Sequence, residues 1–211
     1  MLKIRDQKVW ILSDIHAQHK NLCRGTSTWT DKSGCRDFSC PEEMWEVIRD
    51  NLNKKVQSSH LIIHEGDFIF GKKDNLPKLL REVNCPNWIH LFGNHDDWMK
   101  QDKNRHFLTY FNRGCHNYLE VVILNRLFIL NHYRQLIWRD QHEGSIHCYG
   151  HSHGTSPDDL NSLSIDTGCE TKLFNHEQYT PYEDIEIISI MDKYKKFTRI
   201  DHHNENTGVS S

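Results

Sequence analysis

Short apolar runs broken by polar loops set the pattern of this chain. Residues 8–13, KVWILS, are apolar and partly β-branched, end at Asp14, and predict a buried strand. Residues 17–40 are polar and rich in Gly and Ser, a long loop of the kind that carries function inside a compact domain. Pro41 then opens a helix, with Glu42 and Glu43 in its first turn. Met44, Val47, Ile48 and Leu52 recur at helical spacing as its buried face. Strands are expected at 61–63 and 88–92 with a helix at 76–83 between them, then a hairpin from 119–124 and 127–130 around Asn125-Arg126. Further strands are expected at 146–149 and 163–165, and a last helix from 182 to about 193. Strand–helix alternation in the first half and hairpins in the second predict an α/β protein. Its two sheets pack as a β-sandwich with helices on both outer faces, four layers in all. One domain is expected over 1–193, followed by a polar tail, 194–211.

Five of these apolar runs end in the same way. A Gly, Ser or Asn is followed at once by His, Asp or Asn, in Ser13-Asp14-Ile15-His16, Gly66-Asp67, Gly93-Asn94-His95-Asp96, Asn131-His132 and Gly150-His151-Ser152-His153. The C-terminal ends of strands converge in open α/β sheets, so residues far apart in sequence meet there. Asp-x-His and His-x-His each place two ligands on a tight loop, and imidazole with carboxylate suits Mn²⁺, Fe²⁺ and Zn²⁺ rather than Ca²⁺. The set holds more ligands than one ion needs. It therefore predicts two ions, a known device for in-line displacement at phosphorus, with Asp67 as the bridging carboxylate.

These motifs, SDIH, EGDF, GNHD, NHY and GHSH, stand in the order that marks the calcineurin-like metallophosphoesterases. The chain resembles that family over about residues 8–193, and most of all its small bacterial and phage members, through SDIHAQHKN, HEGDFIFG, GNHDD and GHSHG. The resemblance implies a helix-flanked β-sandwich. It also implies one ion held by Asp14, His16, Asp67 and His153 and a second held by Asp67, Asn94, His132 and His151. Mn²⁺ leads, with Fe²⁺, Zn²⁺, Ni²⁺ and Mg²⁺ as alternatives. The expected reaction is hydrolysis of a phosphate ester, a small nucleotide-like phosphodiester before a monoester, by in-line attack of a hydroxide bridging the ions. His95, free of metal, would stabilise the transition state or protonate the leaving oxygen. Asp96 either orients His95 or caps its loop. The chain departs from the phosphoprotein phosphatases, which carry an Asp-Arg pair after their Gly-Asp, because Phe68, Ile69 and Phe70 stand there.

Substrate contacts are the least determined. His19, Asn21, Arg24 and Arg134 either reach the substrate or are solvated, and Trp29, Tyr133 and Trp138 either stack a base or belong to the core.

Composition narrows the choice of partner. Lys+Arg of 26 against Asp+Glu of 29 gives a net charge of -3, which disfavours a dedicated nucleic-acid binder without excluding a nuclease of the same chemistry. A scaffold that has lost its chemistry would be expected to lack some ligands, and all are present. A mean hydropathy of -0.74, with no apolar run near 18 residues, predicts no membrane span. With no secretory h-region and seven cysteines, an odd number, the chain reads as cytoplasmic with reduced thiols. Cys23, Cys35 and Cys40 match no zinc spacing. Sixteen histidines are far more than five metal and catalytic positions require.

Overall fold

A computed structural model describes residues 1–156, 162–171 and 176–193. The expected polar tail, 194–211, lies outside the described residues. In chain order come β1 (Leu2–Ile4), β2 (Val9–Leu12), α1 (Pro41–Lys55), β3 (Leu61–His64), α2 (Leu76–Arg81), β4 (Trp88–Leu91) and α3 (Asp97–Lys100). A 3-10 helix, Asp102–Tyr110, leads to β5 (Cys115–His116), β6 (Leu119–Ile123), β7 (Arg126–Leu130), β8 (Ile146–Tyr149), β9 (Ser164–Asp166), β10 (Tyr182–Glu183) and α4 (Asp184–Lys193).

The strands form two five-stranded sheets flanked by helices, in the orders β1-β6-β7-β8-β9 and β10-β2-β3-β4-β5. In the second sheet β2, β3, β4 and β5 are mutually parallel and β10 is antiparallel. All residues of β2, β3 and β4 are buried, as expected when both faces of a parallel sheet are covered. Alternate side chains divide between two cores. Trp10, Leu12, Ile62 and Trp88 pack with Met44, Ile48 and Leu52 of α1, Leu76 and Leu80 of α2, and Phe107. Val9, Ile11, Leu61, Ile63, Ile89 and Leu91 face the other sheet, where they meet Val121, Ile123, Phe128 and Ile146. Ile187, Ile190 and Met191 of α4 join this second core. Among the described residues no helix is long and apolar enough to cross a membrane.

Two local expectations change, and one open alternative is settled. Val47 is 37% exposed, and Trp45, at 6%, joins the buried face of α1 in its place. The segment expected to be helical from 182 begins as strand: Tyr182 and Glu183 pair with Ile11 and Trp10, and the helix starts at Asp184. A two-residue edge strand leaves no periodicity to read. Trp138 is core, with its ring near His147.

Candidate metal centre

Each of the five motif loops leaves the C-terminal end of a strand. Asp14 and His16 follow β2, Asp67 follows β3, and Asn94 and His95 follow β4, all in one sheet. His132 follows β7, and His151 and His153 follow β8, in the other. The sheets meet here through a bridge between Ser13 and Gly168. Asp14, His16, Asp67, His151 and His153 all have left-handed backbone, with φ between 49° and 66°. That region is unfavourable for residues with a Cβ, and clusters of it mark functional loops. The neighbouring glycines have a steric reason. A Cβ at Gly93 would run into the Asp67 carboxylate, and one at Gly150 into Ser13 and Asp14.

The side chains converge on one point. His16 Nε2 is 3.2 Å from His153 Nε2, across 137 positions of sequence. It lies 3.5 Å from Asp14 Oδ1 and 3.7 Å from Asp67 Oδ2. His153 Nε2 is 3.7 Å from Asp14 Oδ1. On the other side, His132 Nε2 is 3.4 Å from Asp67 Oδ2 and 3.0 Å from Asn94 Oδ1, which is 2.9 Å from His151 Nδ1. One oxygen of Asp67 thus faces histidines on both sides. Asp14, His16 and His153 have ligand atoms close enough to share an ion, and so do Asp14, Asp67 and His132, so Asp14 belongs to both groups. Asp14 Oδ1 is buried without a hydrogen-bond partner, as a carboxylate oxygen reserved for a cation would be. The donor set, carboxylate, imidazole and amide oxygen, fits divalent metals of the Mn²⁺, Fe²⁺ and Zn²⁺ type.

Charge is distributed to match. Burial alone would raise the Asp14 carboxyl, but its close approach to His16 and the charges of His153, His16 and His132 take it well below the usual carboxylate range. Burial would lower His132, yet its contact with Asp67 and the charges of Asp14 and Asp67 lift it to about 9. Burial lowers His16 against the pull of Asp14. His132 Nδ1 lies 2.7 Å from the Glu65 carbonyl oxygen, to which it donates, so Nε2 turns toward Asp67.

His95 is exposed beside the cluster, its ring 5.4 Å from that of His16 and 5.1 Å from that of Phe70, while its backbone N–H donates to Asp67 Oδ1. Asp96 does not orient the His95 ring. Its Oδ2 accepts from the backbone N–H groups of Asp67 and Gly93 and lies 3.1 Å from His90 Nε2, so it caps the loop. Burial would raise the Asp96 carboxyl, but His90 and these donors hold it at about 2. His19 lies near the cluster, stacked on Phe70 with ring centroids 3.8 Å apart, and burial together with His16 and His95 lowers it to about 4. Asn21 is turned away, its Oδ1 accepting from Thr28. Arg24 pairs with Asp37, and Arg134 donates to Ser156. Trp29 and Tyr133 are exposed, Trp29 against His19 and Tyr133 against His151.

Some supporting residues carry no motif. Arg36, from the long 17–40 loop, is buried and donates to the backbone oxygens of Asp14 and Ile15 and to Glu170. Glu170 Oε1 in turn lies 2.7 Å from His153 Nδ1. Asp166, just after Ile165 in β9, accepts from Ser152 Oγ and from the Gly154 and Gly168 N–H groups, which fixes the His151–His153 loop.

No family model and no curated protein matches the chain. Among solved structures it is similar to a protein of unknown function from Aquifex aeolicus, with 20% identity over 88% of this chain and 100% of that one and a TM-score of 0.60. An archaeal phosphodiesterase, 22% identical over 80% of this chain and 88% of that one, has a TM-score of 0.44. A predicted phosphoesterase from Streptococcus pneumoniae, 18% identical over 80% of this chain and 74% of that one, has a TM-score of 0.36. The first of these likenesses supports the fold.

Proposed function

We propose that the protein is a metal-dependent phosphoesterase acting on a small phosphodiester, with a nucleotide-like ester favoured. The observation that carries this reading is the meeting of Asp14, His16 and His153 on one side, and of Asp67, Asn94, His132 and His151 on the other, from five separate strand ends. One Asp67 oxygen faces both sides. Asp14, His16, Asp67 and His153 would hold one divalent cation and Asp67, Asn94, His132 and His151 a second. When bound, such a pair lowers the pKa of a water and offsets charge growing on the phosphoryl oxygens. The protein's own groups do the rest. Arg36, Glu170 and Asp96 keep the ligand loops in place, and His95, exposed beside His16, gives a proton to the leaving oxygen.

The test is a panel of cyclic nucleotides, linear diesters and monoesters with Mn²⁺, run on the wild type and on His95→Ala. Diester cleavage by the wild type, falling on the order of 100-fold or more in the variant with both metals retained, is expected. Absence of activity on every ester would remove the enzyme reading, and loss of metal in His95→Ala would show that His95 is a ligand.

A further inference from the structure

The two flanks of the metal cluster differ. On one, the His95 ring meets His16 and Phe70. On the other, beside Asn94, a cavity of about 300 Å³ opens between Phe92, Lys100, Asn117, Asn131 and Tyr133. Asn94 itself forms part of its wall, so the cavity adjoins the cluster directly. Tyr133 is 48% exposed, with its ring centroid 4.7 Å from that of His151 and 5.0 Å from that of His132. Its backbone is fixed, because the Tyr133 N–H donates to Asn131 Oδ1 while the Asn131 amide donates to the Asn117 carbonyl. Lys100 lies over the Phe92 ring and pairs with Asp97 at 2.8 Å, so the cavity's one cation is already neutralised.

We propose that this cavity is a subsite for a planar, hydrogen-bonding ring, a nucleobase, with Tyr133 as its stacking face. The proposal rests on the phosphoesterase reading above for the orientation of the ester. A large aromatic ring held half in water beside a polar cluster is uncovered apolar surface whose face every base can use. The side-chain amide of Asn117 and the amide nitrogen of Asn94 offer hydrogen bonds in the cavity wall, which a purely aliphatic group would leave unmet. The neutralised Lys100 gives no reason to recruit a second phosphate. The volume is at the small end of the ~300–1,000 Å³ common for small-molecule sites. If His95 protonates the leaving oxygen, the leaving group lies on the Phe70 flank, and the Asn94 flank takes the alcohol that stays on phosphorus. The subsite therefore reads the retained nucleoside.

Two esters with the same p-nitrophenolate leaving group separate these roles: thymidine 5′-(p-nitrophenyl phosphate) and methyl p-nitrophenyl phosphate, both with Mn²⁺. The wild type is expected to prefer the nucleoside ester in kcat/KM. Tyr133→Ala should cut that preference on the order of 10-fold, through KM, and Tyr133→Phe should keep it. Calorimetry with thymidine 5′-monophosphate and methyl phosphate on the Mn²⁺-loaded protein gives a readout without turnover. Tighter binding of the nucleotide by the wild type, lost in Tyr133→Ala, supports the subsite. Equal binding of the two ligands, or an unchanged preference in Tyr133→Ala, overturns it. If neither ester is cleaved while the binding difference holds, the subsite stands and the phosphoesterase reading falls.

Discussion

His153 Nδ1 lies 2.7 Å from Glu170 Oε1, and the same oxygen receives Arg36 Nε at 2.5 Å. A charged chain thus runs from the long 17–40 loop to one histidine of the cluster. Burial would raise the Glu170 carboxyl, but Arg36 and His153 hold it at about 2, so it stays an anion that fixes the tautomer and direction of His153. Glu170→Gln should weaken divalent-metal binding by about 10–100-fold, the usual effect of removing a carboxylate behind a histidine ligand. Calorimetric titration checks it; unchanged metal affinity would show that Glu170 serves the fold alone.

Asp67 is the carboxylate whose one oxygen faces both His16 and His132. Asp67→Ala should reduce the metal content of the purified protein to at most one ion per chain and abolish diester hydrolysis. Metal analysis on protein of unchanged circular dichroism checks this. Retention of two ions would move the bridging role to Asp14, the residue common to both ligand groups.

Metal binding should depend on pH through His132. With a pKa of about 9, it carries a proton that must leave before Nε2 can bind a cation. Affinity for Zn²⁺ or Mn²⁺ is therefore expected to rise from pH 6 to pH 8, with proton release visible as a dependence of the calorimetric heat on the buffer. A flat affinity over that range would contradict the assignment of His132 as a ligand.

The metal-free fold carries its own pH signature. The raised pKa of His132 contributes stability that is fully present below the ordinary 6.5 and lost as pH rises through about 9. Asp96 and Glu170, both depressed to about 2, contribute stability present above their ordinary 3.8 and 4.5 and lost as pH falls toward 2. His19, lowered by burial to about 4, works from the other side: below the ordinary 6.5 the unfolded chain takes up a proton that the folded one does not, so stability falls as pH drops toward 4. Chelator-treated protein should therefore be most stable near about pH 6.5, with melting temperature falling on both sides.

Asp96 is predicted to matter for stability more than for proton transfer. Asp96→Ala strands the buried N–H groups of Asp67 and Gly93 and should cost about 3 kcal/mol in urea unfolding, at ~1–3 kcal/mol for each group left unpaired. A loss well under 1 kcal/mol would mean that water or a repacked side chain replaces the carboxylate.

Several of these features were legible in the sequence because they repeat. Apolar runs ending in Asp, Asn or His recur five times, and the strands that precede Asp14, Asp67, Asn94, His132 and His151 all lie where the pattern puts them. Arg36 and Glu170 could not be read this way. Each is a single charged residue in a loop, and only the fold brings them together across 134 positions. Asp96 was ambiguous for a related reason. Its neighbour His95 suggested a pair, whereas its partners turn out to be the Asp67 and Gly93 backbone and His90, on the far side of the loop. The surplus of histidines divides likewise. His64 and His90 stack in the core, with ring centroids 5.3 Å apart, rather than joining the cluster.

The left-handed backbone at Asp14, His16, Asp67, His151 and His153 sets the metal site against the durability of the molecule. Each of these residues holds a conformation that costs about 1 kcal/mol or more with a Cβ and little with glycine. A laboratory selection for heat resistance alone would tend to enrich glycine at positions such as His151, where the ring is partly in water. Such variants would keep both sheets and grow hardier as they lost their ligands. The site persists only under a demand for its chemistry, so drift away from that demand should empty these loops long before it touches β2, β3 or β4.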